Sequence, residues 1–420
     1  MKRSIIIIIW LMSLGAKAQD SLQTYIKAAL RENPEVMAQW HAYEAAMEAV
    51  CPAGTLGDPE LSINIYPKPM TQVNGQQVMS VSLMQMFPWF GAMKAAKSEK
   101  AWQAEAVWQK YREGGILLAY EVERQWYQML VTREKLSTTN EHLRLLKDIA
   151  ELAVYKYKSQ TNGMKGSRMS DQYRLQAEQL KLEEQTASLT SLLKTQQGQF
   201  NLLMHRSSES PLVFPDSILL STMPIVEWAD IEQRSPALLS LKAQSEQFAA
   251  QEKKAEKMGL PMVGVGVQYM LNKKRDMLSD GAMPDMNGMD MWMAMFKVTL
   301  PIYRHKIKAQ RRAAELMRQT ADENYLRRVD VIRSQLLDIS RRAEDVLRKM
   351  NLYRQDMDIL ANTLQLMKGE YAAGTTSLSD ILQTEREQLN YAFSHTEACA
   401  QYNMVVAEFE KLASVNDIKK

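Results

Sequence analysis

Residues 329–371 read VDVIRSQLLDISRRAEDVLRKMNLYRQDMDILANTLQLMKGEY. Apolar side chains recur at Val329, Ile332, Leu336, Ile339, Ala343, Val346, Met350, Tyr353, Met357, Leu360, Leu364, Met367 and Tyr371, in alternating steps of three and four without a slip. That is the seam of a coiled coil. No Pro or Gly interrupts 302–368, and a helix of that span rises about 100 Å at 1.5 Å per residue. Such a helix needs a partner along its length. Gly369 to Gly374 breaks it, and a second helix is expected to return antiparallel over 377–412.

The same plan stands earlier in the chain. Pro34, Pro59, Pro88 and Asp171 match Pro236, Pro261, Pro301 and Asp380, in one order and at offsets of 202, 202, 213 and 209. Landmarks so ordered indicate a duplication rather than a short-period solenoid. Each half is expected to hold a helix, two strands and two long helices. The first repeat covers 19–210, with strands at 60–69 and 78–87 and helices at 92–160 and 167–204. The second covers 231–420, with strands at 262–271 and 291–300 and helices at 302–371 and 377–412. Between them 211–230 reads as a linking segment with Pro211, Pro215 and Pro224.

The strands alternate. Val263, Val265, Val267, Tyr269 and Leu271 oppose Met262, Gly264, Gly266, Gln268 and Met270, and Trp292, Ala294, Phe296, Val298 and Leu300 oppose Met291, Met293, Met295, Lys297 and Thr299. In the first half Met79, Val81, Leu83 and Phe87 oppose Ser80, Ser82, Met84 and Met86. Segments of about ten residues with one apolar face suit outer-membrane barrel strands, and they also suit a half-buried soluble sheet.

Residues 1–18 read as a secretory signal, with Lys2 and Arg3 first, an apolar stretch from Ile5 to Gly15 and a cleavage site at Ala16-Lys17-Ala18. Its removal would leave the basic residues equal in number to the 49 acidic ones. A near-neutral chain gives no support for a nucleic-acid partner. No later run is long and apolar enough for a membrane helix, so any span must be a strand of a closed barrel. Cys51 and Cys399 are too far apart in sequence to argue for a disulfide. The five His are scattered, and no HExxH, Walker A or nucleophile-elbow pattern occurs. No enzyme and no cofactor is expected.

With the duplication, Leu300-Pro301-Ile302-Tyr303 and Tyr371-x-x-Gly374-x-x-Ser377-x-x-Asp380 in place, the chain resembles the TolC-type outer-membrane efflux channels. The resemblance spans essentially the whole mature chain. It implies a mainly α fold with a transmembrane β-barrel: each protomer of a homotrimer gives four strands to the barrel and long coiled-coil helices to a periplasmic α-barrel. It further implies a passive exit duct in a Gram-negative outer membrane, with lipid around the barrel. A periplasmic membrane-fusion adaptor and an inner-membrane pump of the RND type would be its partners. The tip that meets the adaptor would hold Gly163, Gly166 and Ser167 in one hairpin and Gly374, Thr375, Thr376 and Ser377 in the other. Asp380, with Asp171 beside it, would line the periplasmic gate, although an acid there also suits the first turn of a helix.

The 29 Met are the departure from ordinary composition. If the apolar strand faces meet lipid, then Met84, Met86, Met262, Met270, Met291, Met293 and Met295 point into the lumen, and a loop carries Met277, Met283, Met286 and Met289. Thioethers suit soft cations such as Cu(I) and Ag(I); Met is also an adaptable packing residue. The pattern is similar to the copper/silver, CusC-like branch, and implies soft-metal export with transient contact by these Met. The same fold serving drug efflux or type I protein secretion, and a soluble periplasmic coiled-coil scaffold, remain as alternatives.

Overall fold

The structure, a computed structural model, describes residues 22–72, 75–158, 169–274, 287–373 and 375–414. In chain order the elements are α1 (22–32), α2 (Pro34–Glu48), α3 (Val50–Ala53), β1 (Glu60–Gln72), β2 (Gly75–Phe87), α4 (Ala92–Lys158), α5 (Met169–Leu203), α6 (Trp228–Arg234), α7 (Pro236–Met258), β3 (Met262–Lys273), β4 (Met291–Thr299), α8 (Arg304–Ala373) and α9 (Leu378–Ala413). The signal segment lies outside the described residues.

The chain divides into two compact units: 22–39, 111–236 and 329–414 form one, and 40–110 with 237–328 the other. In the first, the heptad seam of α8 is buried or half-buried throughout. Ile332, Ile339, Val346 and Leu364 are among its most enclosed residues. Ile339 and Ala343 pack with Val405 and Leu412 of α9, and Val346 and Met350 with Ala398. The turn-side end gathers both helical pairs: Leu146 and Ile149 from α4, Leu175 and Leu182 from α5, Leu364 from α8 and Ile381 from α9 share one cluster. Amphipathic helices this long are stabilised by such packing more than by propensity. A further core joins α1, α4 and α5 around Trp126, whose ring stacks on Phe214 at 5.3 Å and meets Tyr25 at 5.5 Å.

In the second unit the strands form one antiparallel sheet in the order β1-β2-β3-β4. The expected strand 60–69 spans Glu60–Gln72, with a register shift between Ile65 and Met70, and 78–87 extends back to Gly75. The helices of this unit carry an aromatic group of Trp40, Tyr43 and Trp108 and a Lys254–Glu99 ion pair at 2.8 Å. Among the described residues no helix is long and apolar enough to cross a membrane.

Candidate functional site

The sheet register decides which side chains share a face, because directly paired residues project to the same side. Met84 pairs with Gly266, and Gly266 with Met295. Met86 pairs with Gly264, which pairs with Lys297. Ser80, Met270 and Met291 form the next row, and Ser82, Gln268 and Met293 another. Met262 pairs with Thr299. All seven Met read from the alternation therefore occupy one face of the sheet.

Two glycines of β3 make room for the sulfurs. A Cβ on Gly264 would lie 2.5 Å from the Met86 Sδ and 3.2 Å from the Met84 Sδ. One on Gly266 would meet the Leu83 carbonyl at 2.6 Å and the Met84 Sδ at 3.1 Å. The thioethers of Met84 and Met86 thus lie over the bare backbone of the neighbouring strand, where any other residue would displace them. Such sulfurs are soft donors. Among the described residues no three His, Cys, Asp or Glu come together as metal ligands.

The other face is apolar and open. Leu61, Ile63, Ile65, Leu83, Val265, Val267, Trp292 and Phe296 are exposed there, Phe296 at 78%. Tyr269 and Trp292 pair at 4.8 Å between ring centroids, and the Tyr269 hydroxyl donates to Asp290. Gln85, by register on this face opposite Val265, interrupts the apolar series; its Nε2 donates to the Gly57 carbonyl at 2.9 Å. Met277, Met283 and Met286 lie outside the described residues. Met289 is exposed, and its carbonyl accepts from Asn272 at 2.9 Å.

At the turn between α8 and α9, Ser377 caps α9. Its Oγ accepts from the Asp380 N–H at 3.3 Å and donates to the Asp380 carboxylate at 2.7 Å. This reciprocal pair explains why a Ser-x-x-Asp spacing starts the helix. Asp380 is exposed, so the cap leaves its carboxylate in contact with solvent. Thr375 donates from N–H and hydroxyl to the Glu370 carbonyl, both at 3.0 Å, and Thr376 donates to the Glu370 carboxylate at 2.5 Å. Glu370 thus ties the turn to the end of α8. Asp171 sits half-buried in the first turn of α5. Gly163, Gly166, Ser167 and Gly374 lie outside the described residues.

Two polar pairs farther up escaped the sequence reading. His142 of α4 meets Glu385 of α9 at 3.1 Å, with Glu385 2% exposed. Arg386 grips Glu178 of α5 with two bonds, 3.0 and 2.7 Å. His142 is a buried, hydrogen-bonded packing residue, because α9 carries a carboxylate into the same layer. Both cysteines are free thiols.

Residues 229–409 match the model of the outer membrane efflux protein family. Members of the family are transport ducts rather than enzymes. The chain is similar in fold to the outer membrane protein VceC of Vibrio cholerae (14% identity, 94% of this chain and 97% of that one, TM-score 0.75). It is similar to CusC, whose structures concern folding and transmembrane channel formation (15%, 94% and 92%, TM-score 0.76). The open state of the Neisseria gonorrhoeae MtrE outer membrane channel also matches (15%, 94% and 88%, TM-score 0.74). No curated protein matches the sequence of this chain.

Proposed function

We propose that this chain is an outer-membrane efflux protein, the exit duct of a tripartite pump in a Gram-negative outer membrane, and that its cargo is a soft metal ion, Cu(I) or Ag(I). The observation that supports this reading is the segregation of the sheet: seven Met on one face and a broad exposed apolar surface on the other. A four-stranded sheet with two edges and an open apolar face is unstable in water. Three copies closed into a barrel satisfy the edges and present the apolar face to lipid. The Met face then lines the lumen. Met-rich lumenal walls offer exchangeable soft contacts, and a conduit needs contacts weak enough to release the ion.

In this reading the α8–α9 turn, with Thr375, Thr376 and Ser377, and the first-half residues Gly163, Gly166 and Ser167 meet a periplasmic adaptor, which links the duct to an inner-membrane pump. Asp380, its carboxylate exposed beside the cap, contributes one of three acids at the periplasmic end, favouring cations. Asp171 takes a lesser part in the same ring.

Replacing Met84, Met86, Met291, Met293 and Met295 together by Leu keeps side-chain volume and removes the sulfurs. In a strain relying on this duct, silver and copper tolerance should fall while the amount of trimer in the outer membrane stays constant. Unchanged metal tolerance, with drug tolerance lost on deletion of the gene, assigns the duct to drugs instead. Release of the protein from membranes by carbonate, without heat-modifiable migration, overturns the duct itself.

A further inference from the structure

The helical unit encloses a cavity of about 400 Å³ between α1, α4, α9 and the segment 215–222. Its wall holds two carboxylic acids, Glu123 of α4 and Glu410 of α9, and no Lys, Arg or His. Glu123 is 6% exposed, and among the described residues nothing donates a hydrogen bond or an ion pair to it. Buried carboxyls without a partner are costly and therefore rare. Burial, helped by the charge of Glu410, pushes the Glu123 carboxyl up to about 7.

The cavity is held open by a polar scaffold. Asn403, 1% exposed, donates to the Leu219 carbonyl at 2.7 Å and accepts from the Ser221 N–H at 2.8 Å. Tyr127 and Ser221 hydroxyls lie 3.4 Å apart. Ser217 and Thr222 add hydroxyls to the wall. The oxygen-rich wall suits a hard cation: two acids, several hydroxyls and room for waters, with no sulfur donor. Ca²⁺ takes about six to eight oxygens in flexible geometry.

We propose that this cavity binds a hard divalent cation, with Glu123 and Glu410 as its anionic ligands and the loop hydroxyls and waters completing the shell. The titratable groups lining the cavity are Glu123 and Tyr127 on α4 and Glu410 on α9; α1 contributes Gln23, and the loop only hydroxyl and carbonyl groups. A bound cation would tie α4 to α9 beside the loop that Asn403 secures. The site is independent of the cargo.

The test uses the full-length trimer in detergent, stripped with a chelator and titrated with Ca²⁺ at pH 8, read by calorimetry and by tryptophan fluorescence, since Trp126 forms part of the wall. Saturable binding is expected, with a dissociation constant on the order of 10⁻⁴ to 10⁻³ M, as in extracellular calcium modules. Glu123→Gln, which keeps the shape, should weaken it at least about tenfold, the loss of one charged ligand (about 1.4 kcal/mol). Glu410→Gln should also weaken it. Equal affinity in Glu123→Gln, no saturation by about 10 mM, well above that range, or preference for an alkylammonium over Ca²⁺ overturns the proposal.

Discussion

The buried Glu123 carboxyl gives a prediction with a definite sign and size. Its pKa is raised from 4.5 to about 7 by desolvation first and by Glu410 second. An acid raised in the folded state binds its proton more tightly there than in the unfolded chain. Its contribution to stability is therefore fully present below about pH 4.5, declines as pH rises, and becomes a constant penalty above about pH 7. Each pH unit across that window transfers about 1.4 kcal/mol, so the whole penalty is roughly 3 kcal/mol. Glu123→Gln has the same shape and stays neutral at every pH. Without divalent cations, the variant should match the native protein near pH 4 and exceed it by roughly 3 kcal/mol at pH 8. Urea unfolding of the detergent-solubilised protein, followed by circular dichroism of the helices, measures the difference from midpoint and slope. A difference that stays flat from pH 4 to 8, or one of opposite sign, would refute the reasoning. With millimolar Ca²⁺ present the gap should narrow, because a bound cation stabilises only the native chain.

Arg386→Ala strips Glu178 of both its strong hydrogen bonds and leaves only Lys181 at 3.6 Å. Amides of α5 and α9 near the pair should lose roughly 2–3 kcal/mol of hydrogen-exchange protection, discounted because the Arg386 end reaches solvent, whereas the double change Glu178→Leu with Arg386→Met should restore most of it. Ser377→Ala removes the α9 cap at a cost of about 1 kcal/mol, read as faster exchange at Ile381 and Leu382. Asp380→Asn keeps the helix start while removing the carboxylate, so cation preference in single-channel recordings should fall with no change in exchange; a changed exchange and unchanged selectivity would make the residue a cap only. Gly266→Val brings a Cβ to 2.6 Å from the Leu83 carbonyl and should abolish heat-modifiable barrel formation, whereas Gly264→Ala displaces chiefly the flexible Met86 and should fold.

What was legible in the sequence followed from period. The heptad of α8 repeats within one helix, and each seam position from Val329 to Tyr371 is buried or half-buried, while Leu337, Ile359 and Leu366 off the seam are exposed. Strand faces likewise obey a local rule of two, so the Met side was readable before any pairing was known. Register was not, because the shift between Ile65 and Met70 belongs to the pairing with β2 and leaves no mark on either strand alone. The role of Gly264 and Gly266 was hidden for the same reason: the side chains they accommodate come from β2, about 180 residues earlier. Gln85 broke the apolar series for a reason outside the strand, a carbonyl at Gly57. The polar pairs were the least legible. His142 and Glu385 are separated by 243 residues, and Glu178 and Arg386 by 208. No spacing rule joins groups so distant, and a lone His on a long helix shows no role until its partner arrives from α9. The cavity beside Glu123 extends this argument, since its wall draws on four chain segments. A carboxylate placed on a packed face of α4 is tolerated there because no single helix has to account for it: the cost falls on the assembly, and so must the compensation, whether a proton or a cation.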